Sequence, residues 1–159
     1  MANKVLVAVF SASGVTKRVG QEIARISGGD FFEIVPAEKY TNADLNYMNS
    51  RSRSSVEMND PSARPAIAGR VSDMDSYDTV IIGFPIWWGV APRIIETFLE
   101  SYDFSGKTII PFCTSGGSGI GMSGKNLEAN AGSGNWLDGE RFGGGVSEEE
   151  LQAWIDGLK

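Results

Sequence analysis

The chain has no histidine, a single cysteine, six prolines and only 14 basic residues against 20 acids. Without histidine it cannot by itself run Ser-His-Asp or Cys-His catalysis, ligate zinc through imidazole, or use imidazole as a general acid or base. One cysteine, Cys113, excludes an intrachain disulfide and a cysteine-rich cluster. It reads as a small buried hydrophobe at a strand end. A net charge of −6 leaves no basic stripe to offset phosphate repulsion, so nucleic acid is not an expected partner. The first apolar run, Val5 to Phe10, falls far short of a signal h-region or a membrane span. The sequence therefore reads as cytoplasmic, without membrane contact.

What is present suits a folded domain. With 159 residues, 42% of them hydrophobic, the chain is expected to form one domain over 1–159 that buries roughly two-thirds of its unfolded surface. Val-rich Lys4 to Phe10 has the continuous apolar character of a strand buried on both faces of a parallel sheet. Val15, Val19, Ile23 and Ile26 then recur at helical spacing, and Gly28-Gly29 stop the helix. Further strands are expected over Phe31 to Val35, Thr79 to Phe84 and Lys107 to Cys113, with a weaker fifth near Asn135 to Leu137. Pro92 opens a helix whose buried face carries Ile95, Phe98, Leu99 and Tyr102. Another helix is expected over Ser123 to Ala131. Ser147 and Glu150 form an S-x-x-E capping box before a last helix with Leu151, Trp154, Ile155 and Leu158 inward. Between Thr41 and Met74 periodicity fades, and the stretch reads as a solvated excursion around a short helix near Ala43 to Met48. This β-α alternation predicts an α/β fold, one doubly wound parallel sheet with helices on both faces.

Ligands of such sheets sit outside the carboxyl ends of the strands. Three segments occupy those ends. Ser11, Ser13 and Thr16, with Gly14, stand where a helix begins, so hydroxyls, free N–H groups and the helix dipole make a phosphate cradle without a cationic side chain. A plain helix cap would account for one hydroxyl, not three within six residues. After the third strand Trp87 and Trp88 adjoin Gly89, and successive residues face opposite ways. At least one indole is therefore expected to offer a flat surface to a planar ligand. The third segment, Thr114 to Gly119, is a side-chain-poor loop. Beyond it Gly119 to Asn126 mimics a nucleotide-hydrolase phosphate loop, but Asn126 stands where Ser or Thr would hold magnesium. Gly119, Gly121 and Gly124 likewise mimic a dinucleotide fingerprint, too far from the strand end to serve as one.

Taken together, S-A-S-G-V-T after the first strand, G-F-P-I-W-W-G after the third and P-F-C-T-S-G-G-S-G after the fourth resemble the FMN loops of the flavodoxin family, most of all its short bacterial branch with a P-I-W-W-G loop. The resemblance implies a five-stranded parallel sheet in the order 2-1-3-4-5 and noncovalent FMN. It implies that Ser11, Ala12, Ser13, Gly14, Val15 and Thr16 hold the phosphate. Pro85, Ile86, Trp87, Trp88 and Gly89 would flank the isoalloxazine ring, and Thr114, Ser115, Gly116, Gly117, Ser118 and Gly119 its pyrimidine edge. Ser115 departs from that branch, which often carries His there, and the Thr41 to Met74 excursion has no counterpart in the family's minimal members. The expected role is a low-potential electron carrier between redox partner proteins, with no catalytic residue of its own and no metal. The alternative is an NAD(P)H-dependent flavin or quinone oxidoreductase of the same fold.

Overall fold

The structure, a computed structural model, describes residues 4–11, 14–38, 41, 51–60, 63, 65–71, 74–85, 93–104, 106–114, 135–136, 140–143 and 146–157. Its strands are β1 (Val5–Val9), β2 (Asp30–Glu33), β3 (Thr79–Pro85), β4 (Thr108–Thr114), β5 (Asn135–Trp136) and β6 (Glu140–Phe142). The helices are α1 (Val15–Ser27), α2 (Arg53–Asn59), α3 (Arg93–Glu100) and α4 (Glu148–Gly157). All strand pairs are parallel and the order is β2-β1-β3-β4-β5, the doubly wound arrangement expected from the sequence. No helix among the described residues is long and apolar enough to cross a membrane.

The side-chain alternation of a strand sorts the apolar residues into two layers. Leu6, Ala8, Val80, Ile82, Phe84, Ile109 and Cys113 face α3, where Ile94, Ile95, Phe98 and Leu99 close over them. Val7, Val9, Ile81, Ile110 and Phe112 face α1 and α4, meeting Val19, Ile23, Leu151 and Ile155. Trp154 packs edge-on against Phe142, with centroids 5.2 Å apart, and belongs to this second layer as expected. Tyr102 lies past the end of α3 and still packs on the first layer, while its hydroxyl accepts the Val71 N–H at 2.8 Å.

Two glycines set how closely these layers pack. A Cβ on Gly83 would lie 2.1 Å from Cζ of Phe112, its register partner on β4, so the ring occupies the space of the missing side chain. A Cβ on Gly20 would lie 2.6 Å from Cγ1 of Val9, so this position brings α1 close to β1.

One expectation, the burial of Val15, needs correction, and two regions show detail that was not expected. The fifth position of the sheet is built from two short strands. β5 pairs with β4 at Thr108 and Ile109, and β6 at Phe112, Cys113 and Thr114. Val15 leaves the buried face predicted for it and is 38% exposed. It stands in the first turn, beyond the sheet, while Val19 and Ile23 lie over the strands. The excursion holds its described helix at Arg53–Asn59. Ser52 caps it by accepting from the Ser55 N–H, and Arg53 pairs with Glu57 at 2.9 Å. Arg93, at the start of α3, pairs with buried Glu96 at 3.0 Å and donates to the Glu57 carbonyl, which ties the excursion to α3. Its return leg is pinned to the end of β2, Ala68 N–H donating to the Val35 carbonyl at 2.7 Å. The helix predicted over 43–48, Pro92 and the helix predicted over 123–131 lie outside the described residues.

Candidate functional site

The carboxyl ends of β1, β3 and β4 are adjacent in the sheet. β1 runs out at Phe10, whose N–H still bonds the Gly83 carbonyl at 3.0 Å. Ser11 follows, partly buried, and its Oγ accepts the Gly14 N–H at 2.9 Å. That bond folds the chain back into α1. Gly14 is the N-cap with φ of 95°, in the left-handed region that suits glycine, and its carbonyl accepts from Arg18 N–H at 3.1 Å as the helix begins.

Among the described residues no side chain caps this helix, and its first turn holds no acid. The amide N–H groups of that turn have no acceptor within the helix, and the helix dipole adds positive potential there. Lys17 is in the same turn but pairs with Glu33 at 3.2 Å.

Thr16 points into the molecule. It is 1% exposed, and its Oγ1 lies 2.7 Å from Oγ1 of Thr114, itself 5% exposed at the end of β4. Two residues from separate predicted loops thus meet directly. The pair carries two hydroxyl protons, and the bond between them uses one. For the other no acceptor exists among the described residues. A buried hydroxyl proton without an acceptor costs about 1–3 kcal/mol. A hydroxyl donor short of an acceptor, beside an uncapped helix start, is the chemistry of an anion site and fits a phosphate group.

Pro85 ends β3 opposite Thr114. Ser11, Gly14, Val15, Thr16, Pro85 and Thr114 are therefore brought to one end of the sheet, with Val15 exposed. Ala12, Ser13, Ile86, Trp87, Trp88, Gly89, Ser115, Gly116, Gly117, Ser118 and Gly119 lie outside the described residues, as do the two decoy glycine motifs. Cys113 is fully buried beside the site and burial pushes its thiol up to about 11, so it is neither a ready nucleophile nor a ready redox thiol. Among the described residues no three His, Cys, Asp or Glu side chains gather to hold a metal.

Sequence reasoning missed the Thr16–Thr114 bond and the Phe112 ring over Gly83. Counting alternation along β4 sends Phe112 and Thr114 to one face, and the contacts follow once the strand order sets that face against α1.

The family model described as Flavodoxin matches residues 4–158. A candidate flavoprotein from Bacteroides eggerthii is 48% identical, the alignment covering 99% of this chain and 98% of that one with a TM-score of 0.93. One from Bacteroides uniformis is 49% identical, covering 98% and 99%, also at 0.93. A flavoprotein from Lactobacillus acidophilus, solved in complex with FMN, is 24% identical, with 97% and 99% covered and a TM-score of 0.74. No curated protein matches the chain.

Proposed function

Because this chain belongs to the flavodoxin family, we propose that it binds FMN at the carboxyl ends of β1, β3 and β4 and works as a low-potential electron carrier between redox proteins. The observation that carries the cofactor is the buried Thr16–Thr114 hydroxyl pair, short of one acceptor, beside the uncapped start of α1. A phosphate there accepts the spare hydroxyl proton and the first-turn amides together.

Ser11 to Thr16 hold the phosphate, with Gly14 letting the backbone turn sharply enough to present its amides. Pro85, Ile86, Trp87, Trp88 and Gly89 flank the isoalloxazine ring, and Ser115 to Gly119 follow its edge. Bound in this way, FMN supplies redox chemistry that the side chains lack. The protein's own contribution is to hold the cofactor, exclude water from the phosphate end and set the potential. A net charge of −6 opposes adding electrons beside a phosphate dianion, which favours a low potential.

The carrier reading draws on the absence of histidine from the chain. The test is to load the protein with FMN, supply NADH or NADPH with a quinone, and follow nicotinamide oxidation, with and without a separate NADPH-dependent reductase protein. A carrier turns over only when the reductase is added. Steady oxidation by the protein alone overturns the carrier and favours the flavin or quinone oxidoreductase.

A further inference from the structure

Resting on that assignment of FMN to this end of the sheet, we propose that Thr114 serves the phosphate side of the site, as a positioning residue that orients the Thr16 hydroxyl, and does not line the ring edge. Side chains alternate along β4: Ile109 and Cys113 enter the layer against α3, and Ile110 and Phe112 the layer against α1 and α4. The same alternation carries Thr114 to the α1 face. There its hydroxyl meets Thr16, in the first turn of α1, at 2.7 Å.

Two proton orders are open to a hydroxyl pair, and an anion selects between them. The amides that attract the anion belong to the turn containing Thr16. A hydroxyl donating to a charged oxygen makes a bond roughly twice as strong as one between neutral groups, so the Thr16 proton turns to the phosphate. Thr16 Oγ1 is then left to accept, and Thr114 donates to it. This order uses both protons of the pair, and each bond polarises the next. The reverse order would set the lone pairs of Thr16 against the anion. Both residues are buried, 1% and 5% exposed, so the bond between them is little weakened by solvent.

A residue acting in this way changes the preference for phosphate, not the grip on the ring. The test is calorimetric titration of the apoprotein with FMN and with riboflavin, for the wild type, Thr114→Val and Thr114→Ser, with Thr114→Ala as a second deletion in case the valine variant folds poorly. Thr114→Val is expected to weaken FMN about tenfold and leave riboflavin within about twofold, and Thr114→Ser to restore the wild-type ratio. Inorganic phosphate alone is expected to raise the melting temperature of the wild type and Thr114→Ser apoproteins more than that of Thr114→Val. Equal weakening of both flavins by the deletions would put Thr114 against the ring or the ribityl chain, and no change in either would make the hydroxyl pair purely structural. Both results overturn the inference while leaving FMN binding in place. A wild type that binds riboflavin as tightly as FMN would remove the phosphate assignment itself, and this inference with it.

Discussion

The two ends of the sheet are finished differently. At the amino ends of the strands, polar groups close on one another around Tyr77 and Asp78. The Tyr77 hydroxyl donates to Asp30 at 2.7 Å, buried Lys107 donates to the Tyr77 carbonyl at 2.7 Å, and Lys4 donates to Ser76 at 3.0 Å while lying over the Tyr77 ring. Backbone bonds from Asp78 to Lys4 and from Thr108 to Asp78 complete the lock across β1, β3 and β4. At the carboxyl ends of β1 and β4 the hydroxyls of Ser11, Thr16 and Thr114 gather, with the Lys17–Glu33 pair beside them. Among the described residues, one buried hydroxyl proton there has no acceptor and α1 starts without a side-chain cap. The first end holds the frame by itself, whereas the second is the one we propose a ligand completes.

The comparison breaks most visibly if the closed end is opened. Lys107→Met removes a buried charged donor and leaves the Tyr77 carbonyl without it, so denaturant unfolding is expected to show a loss of about 2–3 kcal/mol. FMN affinity should stay within about twofold, since distant sites act independently. A large loss of flavin binding in a folded variant would show that the ends are coupled. On the open end, Trp87→Ala and Trp88→Ala are expected to differ, the stacked indole weakening FMN by about 1–3 kcal/mol by analogy with base stacking on aromatic side chains. Fluorescence titration with FMN separates them, and two neutral variants would assign both indoles to the protein's own packing.

Smaller effects sharpen the same contrast. A Cβ on Gly14 meets nothing within 4 Å, so Gly14→Ala introduces backbone strain alone, about 1–2 kcal/mol of stability in a chemical melt. A neutral result there would mean that the turn into α1 relaxes. The smallest effect concerns Cys113. Burial disfavours its thiolate in the folded state and pushes the thiol up to about 11. The stability this gives is complete below the ordinary thiol range and is lost as pH rises through about 11. A thiol reagent at pH 8 should therefore react slowly with the native protein and rapidly once it is unfolded.

The frame was legible where burial dictates residue type. The apolar runs that became β1, β3 and β4 were placed within about a residue of their ends, because strands covered on both faces exclude polar side chains. Gly28 marked the end of α1 for a conformational reason, with φ of 72°. Helix α2 was not legible, since its sequence is polar and its support comes from the Ser52 cap, the Arg53–Glu57 pair and the contact from Arg93. At the site, residue types announced hydroxyls and glycines, but the meeting of Thr16 with Thr114 spans 98 positions. Local spacing cannot reveal such a contact. It follows only once the strand order and the facing of β4 are known.

Completion of the open end by phosphate is the central claim. Calorimetric titration of the wild-type apoprotein with FMN and riboflavin measures this directly. With several hydrogen bonds to a charged group at stake, each worth about 1.5–3 kcal/mol, FMN is expected to bind at least about 100-fold more tightly than riboflavin. Equal affinities for the two flavins, or no binding of either, would contradict it.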